Sequence, residues 1–280
     1  MDRELLLALL ALLTGWPVMV GVAVLTSAWP GAECSSGRED ERRLFRRVTA
    51  PLFAGLVVAC ALLGWALDEP ADAERVPVPF MVAAVVPFVV VMRALARAAV
   101  ALFPRALPPA CTVGVLRPRV HVAPSLASAL SESQLHAVLA HEQSHARHHD
   151  PLRIAVAQLA CDLVWPLPGQ GRTLTLWLHA LEVARDEDAR RTGAEPESLA
   201  EALIACARLS IPRRGAAVAA AAVPSHRLEE RIGRLLRPLP ADRRSRSGPL
   251  ALAVAAVLAV AVAAGALAGE EAVQLLTRSL

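Results

Sequence analysis

Four runs of roughly twenty apolar residues set the first constraint on this chain of 280 residues. They are Leu5 to Trp29, Val48 to Leu67, about Val76 to Met92, and Leu250 to Ala268. Each is near the ~20 residues that a helix needs to cross a bilayer. A spanning backbone must satisfy its own hydrogen bonds, so such runs are expected as transmembrane helices. Composition agrees: the chain is 55% hydrophobic, with a mean hydropathy of +0.45, too apolar for an ordinary soluble domain. The third run is the least clean. It contains Pro87, and Arg93 and Arg97 at its end can snorkel toward lipid headgroups. Its helix is expected to run on as an amphipathic stretch to Phe103.

Arginine placement orients the runs. The chain has no lysine, and its formal net charge is a modest +3. "GREDERRLFRR", read as a loop between the first two spans, is rich in arginine, whereas "DEPADAER" between the second and third is acidic. The positive-inside rule makes the first cytoplasmic and the second external. Arg105 to Ser247 then lies in the cytoplasm and both termini lie outside, in the inner or plasma membrane of the cell. The apolar N-terminal run is too long for a signal peptide and lacks a small-residue cleavage site, so no cleavable signal is expected. Cys34, Cys60, Cys111, Cys161 and Cys206 show no C-x-x-C spacing. They are read as small buried hydrophobes and not as a thiolate metal site.

The expected fold class is therefore mainly α: a polytopic membrane protein with four transmembrane helices and a cytoplasmic helical domain carrying a small β element. Residues 1–104 form the three-helix region with its arginine-rich loop. Residues 105–237 form the cytoplasmic domain. Residues 238–280 hold a basic linker, the fourth span and a short external tail. Within the middle segment "CTVGVLRPRVHVAP" predicts a short strand or hairpin. "SESQ" offers a capping box, with Ser131 as N-cap and Gln134 three residues on. Helices are expected over about Glu132–His148, Asp150–Trp165, Thr173–Arg191 and Pro196–Leu209, with "PLPGQG" and "RRGAAVAAAAVPSH" as loop and linker. "RLEERIGRLLR" reads as a basic amphipathic helix able to lie on the inner leaflet.

The titratable groups concentrate in "AVLAHEQSHARHHD", Ala137 to Asp150. Inside it "HEQSH" is an H-E-x-x-H motif on an expected helix. His141 and His145 lie four apart, on one face, where both imidazoles can hold one metal ion. Glu142 is offset by one residue and can act as general base. A catalytic zinc needs a third protein ligand. "WLHALEVARDEDARR" supplies Glu182, with Asp186 on the same face able to orient a ligand histidine from behind. His179 one turn earlier, or His148 and His149 at the end of the motif helix, are alternatives. Asp186, Glu187 and Asp188 can also be read as a charged surface run.

This constellation resembles the BlaR/MecR family of bacterial membrane metallopeptidases, the antirepressors of β-lactam resistance systems. "GVLRPRVHV" is similar to that family's strand ahead of the zinc helix. "LHAVLAHEQSHARHHDPL", with Arg147 and Asp150, is similar to its motif helix, and "LEVARDEDA" to its E-x-x-x-D helix. The resemblance implies that the cytoplasmic helical domain is a zincin-like protease domain, with zinc held by His141, His145 and Glu182, Glu142 as catalytic base, and Asp186 as support. It implies a cytoplasmic protein substrate, a winged-helix repressor of the BlaI/MecI type. The motifs are shared with housekeeping peptidases of the HtpX and CAAX-protease type, so a quality-control protease is the second expectation. A non-catalytic zinc-binding scaffold is the third; retention of Glu142 argues against it. The β-lactam sensors of the family acylate a serine beside a lysine. A chain without lysine is not expected to sense β-lactams that way. Direct nucleic-acid contact is not expected, because topology and anionic lipid explain the arginines. For the oxyanion partner the sequence offers only His179 and Arg185.

Overall fold

The computed structural model describes residues 8–28, 36–68, 78–101, 107–210, 225–240 and 256–265. It is mostly helical. Among the described residues three helices are long and apolar enough to cross a membrane: α1 (Ala8–Ala28), the part Gly37–Trp65 of α2 (Gly37–Asp68), and the part Met81–Val100 of α3 (Val78–Ala101). α1 contains a π-helical turn over Ala11–Gly15. The expected fourth span is represented by a shorter apolar helix, α10 (Ala256–Gly265). The rest of that run, the linker after 210, the Phe103 junction and the C-terminal tail lie outside the described residues.

Between these helices stand β1 (Ala110–Val113) and β2 (Arg119–Val122), α4 (Pro124–Ala127), α5 (Glu132–Arg147), α6 (Asp150–Leu163), α7 (Pro168–Arg191), α8 (Pro196–Ser210) and α9 (Ser225–Leu235). The two strands form the expected hairpin, antiparallel, with Cys111 opposite His121 and Thr112 opposite Val120. Gly114 turns it at φ +96°, where a Cβ would strike the Arg117 carbonyl oxygen, so glycine is required there. The capping box is present. Ser131 Oγ accepts from the Gln134 amide at 3.3 Å, and Gln134 Oε1 accepts from the Ser131 amide at 2.9 Å. α5 ends at Arg147, and His149 takes the left-handed conformation, φ 53°. That reversal, followed by Pro151 in the first turn of α6, brings Asp150 back beneath α5.

α7 is the axis of the unit. One side packs Ala189 against Ala137 and Ala140 of α5, Leu199 and Ala200 of α8, and Leu235 of α9. The other packs Leu174, Trp177 and Leu181 against Val48 of α2 and Ala157 of α6. Met19 and Ala23 of α1 close on Val164 at the end of α6.

Four expectations change. The arginine-rich "loop" is helical: Gly37 to Arg47 are the first turns of α2, packed along α7. Its charges have the pattern of a solvated connection, but they meet buried acids. "PLPGQG" is in part the start of α7, with Pro168 at its N-terminus and Gly169 pressed onto Ser27, where a Cβ would collide. Arg93 and Arg97 have protein partners. Arg97 Nε donates to Asp162 Oδ2 at 3.1 Å, and Arg93 stacks 4.6 Å over the Trp165 ring. Finally, α9 lies against α7 and α8 with Arg231 and Leu235 buried. Ile232 and Leu235 are spent on the protein core, while Leu236 just past the helix is exposed.

The capping box should matter energetically. Ser131→Ala should lower stability by about 1 kcal/mol, read as a fall in the detergent-solubilised melting temperature, while metal uptake at low temperature stays at the parent level.

Candidate metal centre

α5 carries His141 and His145 one turn apart, with both Nε2 atoms turned to the same point and 3.1 Å between them. Glu182 approaches from α7. Its Oε2 is 3.5 Å from His141 Nε2, and its Oε1 is 3.6 Å from His145 Nε2. These three groups could hold a metal ion. Two donors bound to zinc at tetrahedral angles are separated by about 3.3 Å, given ligand distances of ~2.0–2.1 Å. The histidine nitrogens stand near that spacing, each faces a different oxygen of the Glu182 carboxylate, and the donor types are those that zinc takes, so the residues fit the ion.

Each histidine has a carboxylate behind it. His145 Nδ1 lies 2.8 Å from Asp150 Oδ2. His141 Nδ1 lies 3.0 Å from Asp186 Oδ1, close enough for a charge contact though out of line for a hydrogen bond. With Nδ1–H donated to Asp150, the His145 ring presents its Nε2 lone pair to the metal position, while Asp186 faces the His141 ring as a charge. Asp150 is fully buried. Burial alone would raise its pKa, but His145 and Arg185 outweigh that and hold it down at about 2.

Glu142 is buried beside the triangle. Thr112 on β1 holds it: the Thr112 hydroxyl is 2.9 Å from Glu142 Oε2 and 2.8 Å from the Glu142 carbonyl oxygen. The hairpin thus fixes the acid that the sequence assigns as base.

The alternatives that the sequence offers lie elsewhere. His179 Nε2 sits 2.9 Å from Glu230 Oε2 on α9. His148 Nδ1 bonds the Ser144 carbonyl at 2.9 Å, and His149 occupies the helix-to-helix turn. Arg185 is locked behind the histidines, its Nε 2.6 Å from Asp150 Oδ2 and its Nη1 2.6 Å from Asp188 Oδ2. Neither His179 nor Arg185 joins the His141, His145 and Glu182 group. Asp188 accepts from Ser144 at 2.9 Å and is buried, so the acidic run is no solvated surface.

Two functional residues escape sequence reasoning. One is Thr112. The other is Arg231, whose Nε and Nη2 clasp Asp186 at 2.8 Å each while its Nη1 reaches Glu182 Oε2 at 3.0 Å. Burial would raise the pKa of both carboxylates, but the Arg231 guanidinium holds Glu182 well below the usual range and keeps Asp186 low as well. The signal exists in principle, since a buried carboxylate, Asp186, with a second, Glu182, one turn away on the same face of α7 demands a cation. Nothing local says which of many arginines provides it.

Burial would lower the His141 pKa, but Asp186 and Glu182 overcome it and push it up to about 10. The metal-free protein therefore holds an imidazolium there at neutral pH, whereas a metal needs the neutral ring. Zinc uptake at pH 7 should release a proton, and zinc affinity should rise with pH until His141 titrates. Calorimetric titration in two buffers of different ionisation enthalpy measures this. Uptake with no net proton release at pH 7 would contradict the assignment.

The model of peptidase family M48 matches residues 88–170, which run from α3 through the hairpin and motif helix to the start of α7. The match includes His141, Glu142, His145 and Asp150; Glu182, Asp186 and Arg231 lie beyond it. No curated protein and no solved structure matches the chain. With a His-His-Glu group that could hold a metal, the family match supports a membrane-associated metallopeptidase of the zinc-dependent M48 type.

Proposed function

We propose that the chain is a membrane-integrated zinc endopeptidase that cleaves a cytoplasmic protein, and that this protein is a winged-helix repressor of the BlaI/MecI type. The observation that carries the peptidase reading is the triangle of His141, His145 and Glu182 with Glu142 fixed at its edge. Bound zinc would supply Lewis acidity toward the scissile carbonyl. Glu142 would take the proton of the attacking water and deliver it to the leaving amine. Thr112 would keep the Glu142 carboxylate aimed during both transfers. Asp186 and Asp150 would hold the two imidazoles in their ligand orientation. Arg231 would fix α9 across Glu182 and Asp186, so that the third ligand keeps its place on α7. The repressor as substrate rests on the resemblance of the motif helix and the E-x-x-x-D helix to antirepressor peptidases.

A second reading is a protease that clips misfolded membrane proteins. Its support is that the start of α2, a helix apolar enough to span a membrane, packs on α7, which carries Glu182; a site joined to a span in this way would meet polypeptide near the bilayer. Incubation of the lipid-reconstituted protein with a purified BlaI/MecI-type repressor, and separately with a misfolded membrane protein, decides between them. Cleavage of the repressor alone, abolished by a zinc chelator, supports the first reading; cleavage of the membrane substrate alone supports the second. Glu142→Gln should keep zinc and fold and reduce cleavage by at least 100-fold, on the order of what loss of a general base costs. Parent-level cleavage in that variant would rule out Glu142 as the base.

The orientation proposed is peptidase unit inside and both termini outside, from the arginine bias of the segments. A topology reporter fused after Leu280 should be active only outside the cytoplasm. A signal confined to the cytoplasm would reverse it.

A further inference from the structure

The end of α2 is wired to the metal site. Arg38 and Glu41 lie three apart on one face of its first turns. Glu41 is buried, and its Oε1 accepts from the Arg153 guanidinium and, at 3.2 Å, from the Trp177 indole. Arg153 is stacked 4.5 Å over the Phe45 ring of the same helix as Glu41. Its other nitrogen donates to Asp150 Oδ1 at 3.0 Å. A second route runs from Arg38, which ion-pairs with Asp188, to Arg185, and so to Asp150 Oδ2. Both routes end on the carboxylate that holds His145 Nδ1. Beside them the Gly37 amide donates to Glu187 Oε1 at 2.8 Å, where a Cβ would strike Val183.

Asp150 has no slack. Its Oδ2 receives His145 and Arg185, and its Oδ1 receives Arg153 and, at 3.3 Å, Arg185 Nη2. A carboxylate held at both oxygens takes its direction from its partners. Arg153 is in turn held by Glu41 and Phe45 of α2, and Arg185 by Asp188, which pairs with Arg38 of α2. Carboxylates behind metal-binding histidines set ring orientation, and losing such support costs about 10–100-fold in metal affinity.

We propose that Glu41 and Arg38, on a helix apolar enough to span the membrane, are positioning residues of the metal site, acting on His145 through Asp150. This rests on the reading of His141, His145 and Glu182 as zinc ligands. It adds that the span is part of the ligand scaffold, so a shift of α2 relative to α7 alters metal binding before it disturbs the fold.

The test is zinc affinity by chelator competition in the full chain, with the visible spectrum of the cobalt-substituted protein and the melting of the metal-free protein alongside. Glu41→Gln should weaken zinc about tenfold and alter the cobalt bands; it should also lower metal-free melting, because it removes a charge from a buried pair with Arg153, so zinc binding is compared at a temperature where the variant is folded. Glu39→Gln, the same change at an exposed position of the same turn, should do neither. Asp150→Asn should weaken zinc at least as much, and Glu41→Gln should add nothing in that background. Parent-like zinc binding by Glu41→Gln overturns the proposal. So does an undiminished tenfold effect on top of Asp150→Asn, because the effect would then bypass Asp150. If Glu41→Gln does not fold, Arg38→Gln carries the same comparisons through the second route. A parent chain that binds no zinc removes the ligand reading and the proposal together, whereas a parent that binds with an unaffected Glu41→Gln removes the proposal alone.

Discussion

A carboxylate with no solvent exposure, that of Asp150, holds the arrangement together. It sits where α5 turns into α6 and faces α7, and three side chains converge on it: His145, Arg153 and Arg185. Taking such charges out of water is expensive, and a buried ion pair is weak evidence of net stability. What it provides is uniqueness. Removal of one partner strands the others at a cost of about 3–5 kcal/mol, so helices joined this way have one register and few alternatives. The apolar contacts alone are dominated by alanine, valine and leucine, which would tolerate sliding; the charges do not.

The same logic governs the face of α7 toward the metal. Glu182 and Asp186 would repel each other there without Arg231 between them. Three helices thus meet at the site through charge: α5 by its histidines, α7 by its acids and α9 by its arginine. The hairpin contributes a single hydroxyl, that of Thr112. No loop supplies any of these groups. A rigid frame suits a centre whose donors must stay within a fraction of an ångström of a tetrahedral spacing.

Local spacing makes part of this legible. The i, i+4 histidines, the capping box, the hairpin and the carboxylate pair on α7 are short-range patterns, and each is found where its periodicity puts it. Long-range charge pairing is not legible. Arg38, Glu41, Arg153 and Arg231 belong to segments that, taken one at a time, look like ordinary solvated or membrane-facing stretches. The start of α2 reads as a loop because charge density commonly marks one. Here the charges on that stretch have partners more than a hundred residues away. In a chain whose basic side chains are arginines and histidines, composition cannot separate topological arginines from structural ones.

At its far end α2 meets α10 with almost no side chain between them. A Cβ on Gly64 would run into the Val262 carbonyl oxygen, and one on Gly265 into that of Ala61. Helices brought that close associate by direct backbone packing. α2 is therefore gripped at both ends, by an apolar helix near one and by α7 near the other. A peptidase unit excised from its apolar helices would lose more than an anchor. Trp177 and Leu181 would lose the cover of Phe45 and Val48, and Arg153 and Asp188 would face solvent without Glu41 and Arg38. The border of the enzyme therefore runs through the span, several turns inside α2, and a soluble fragment beginning after α3 would be missing a wall.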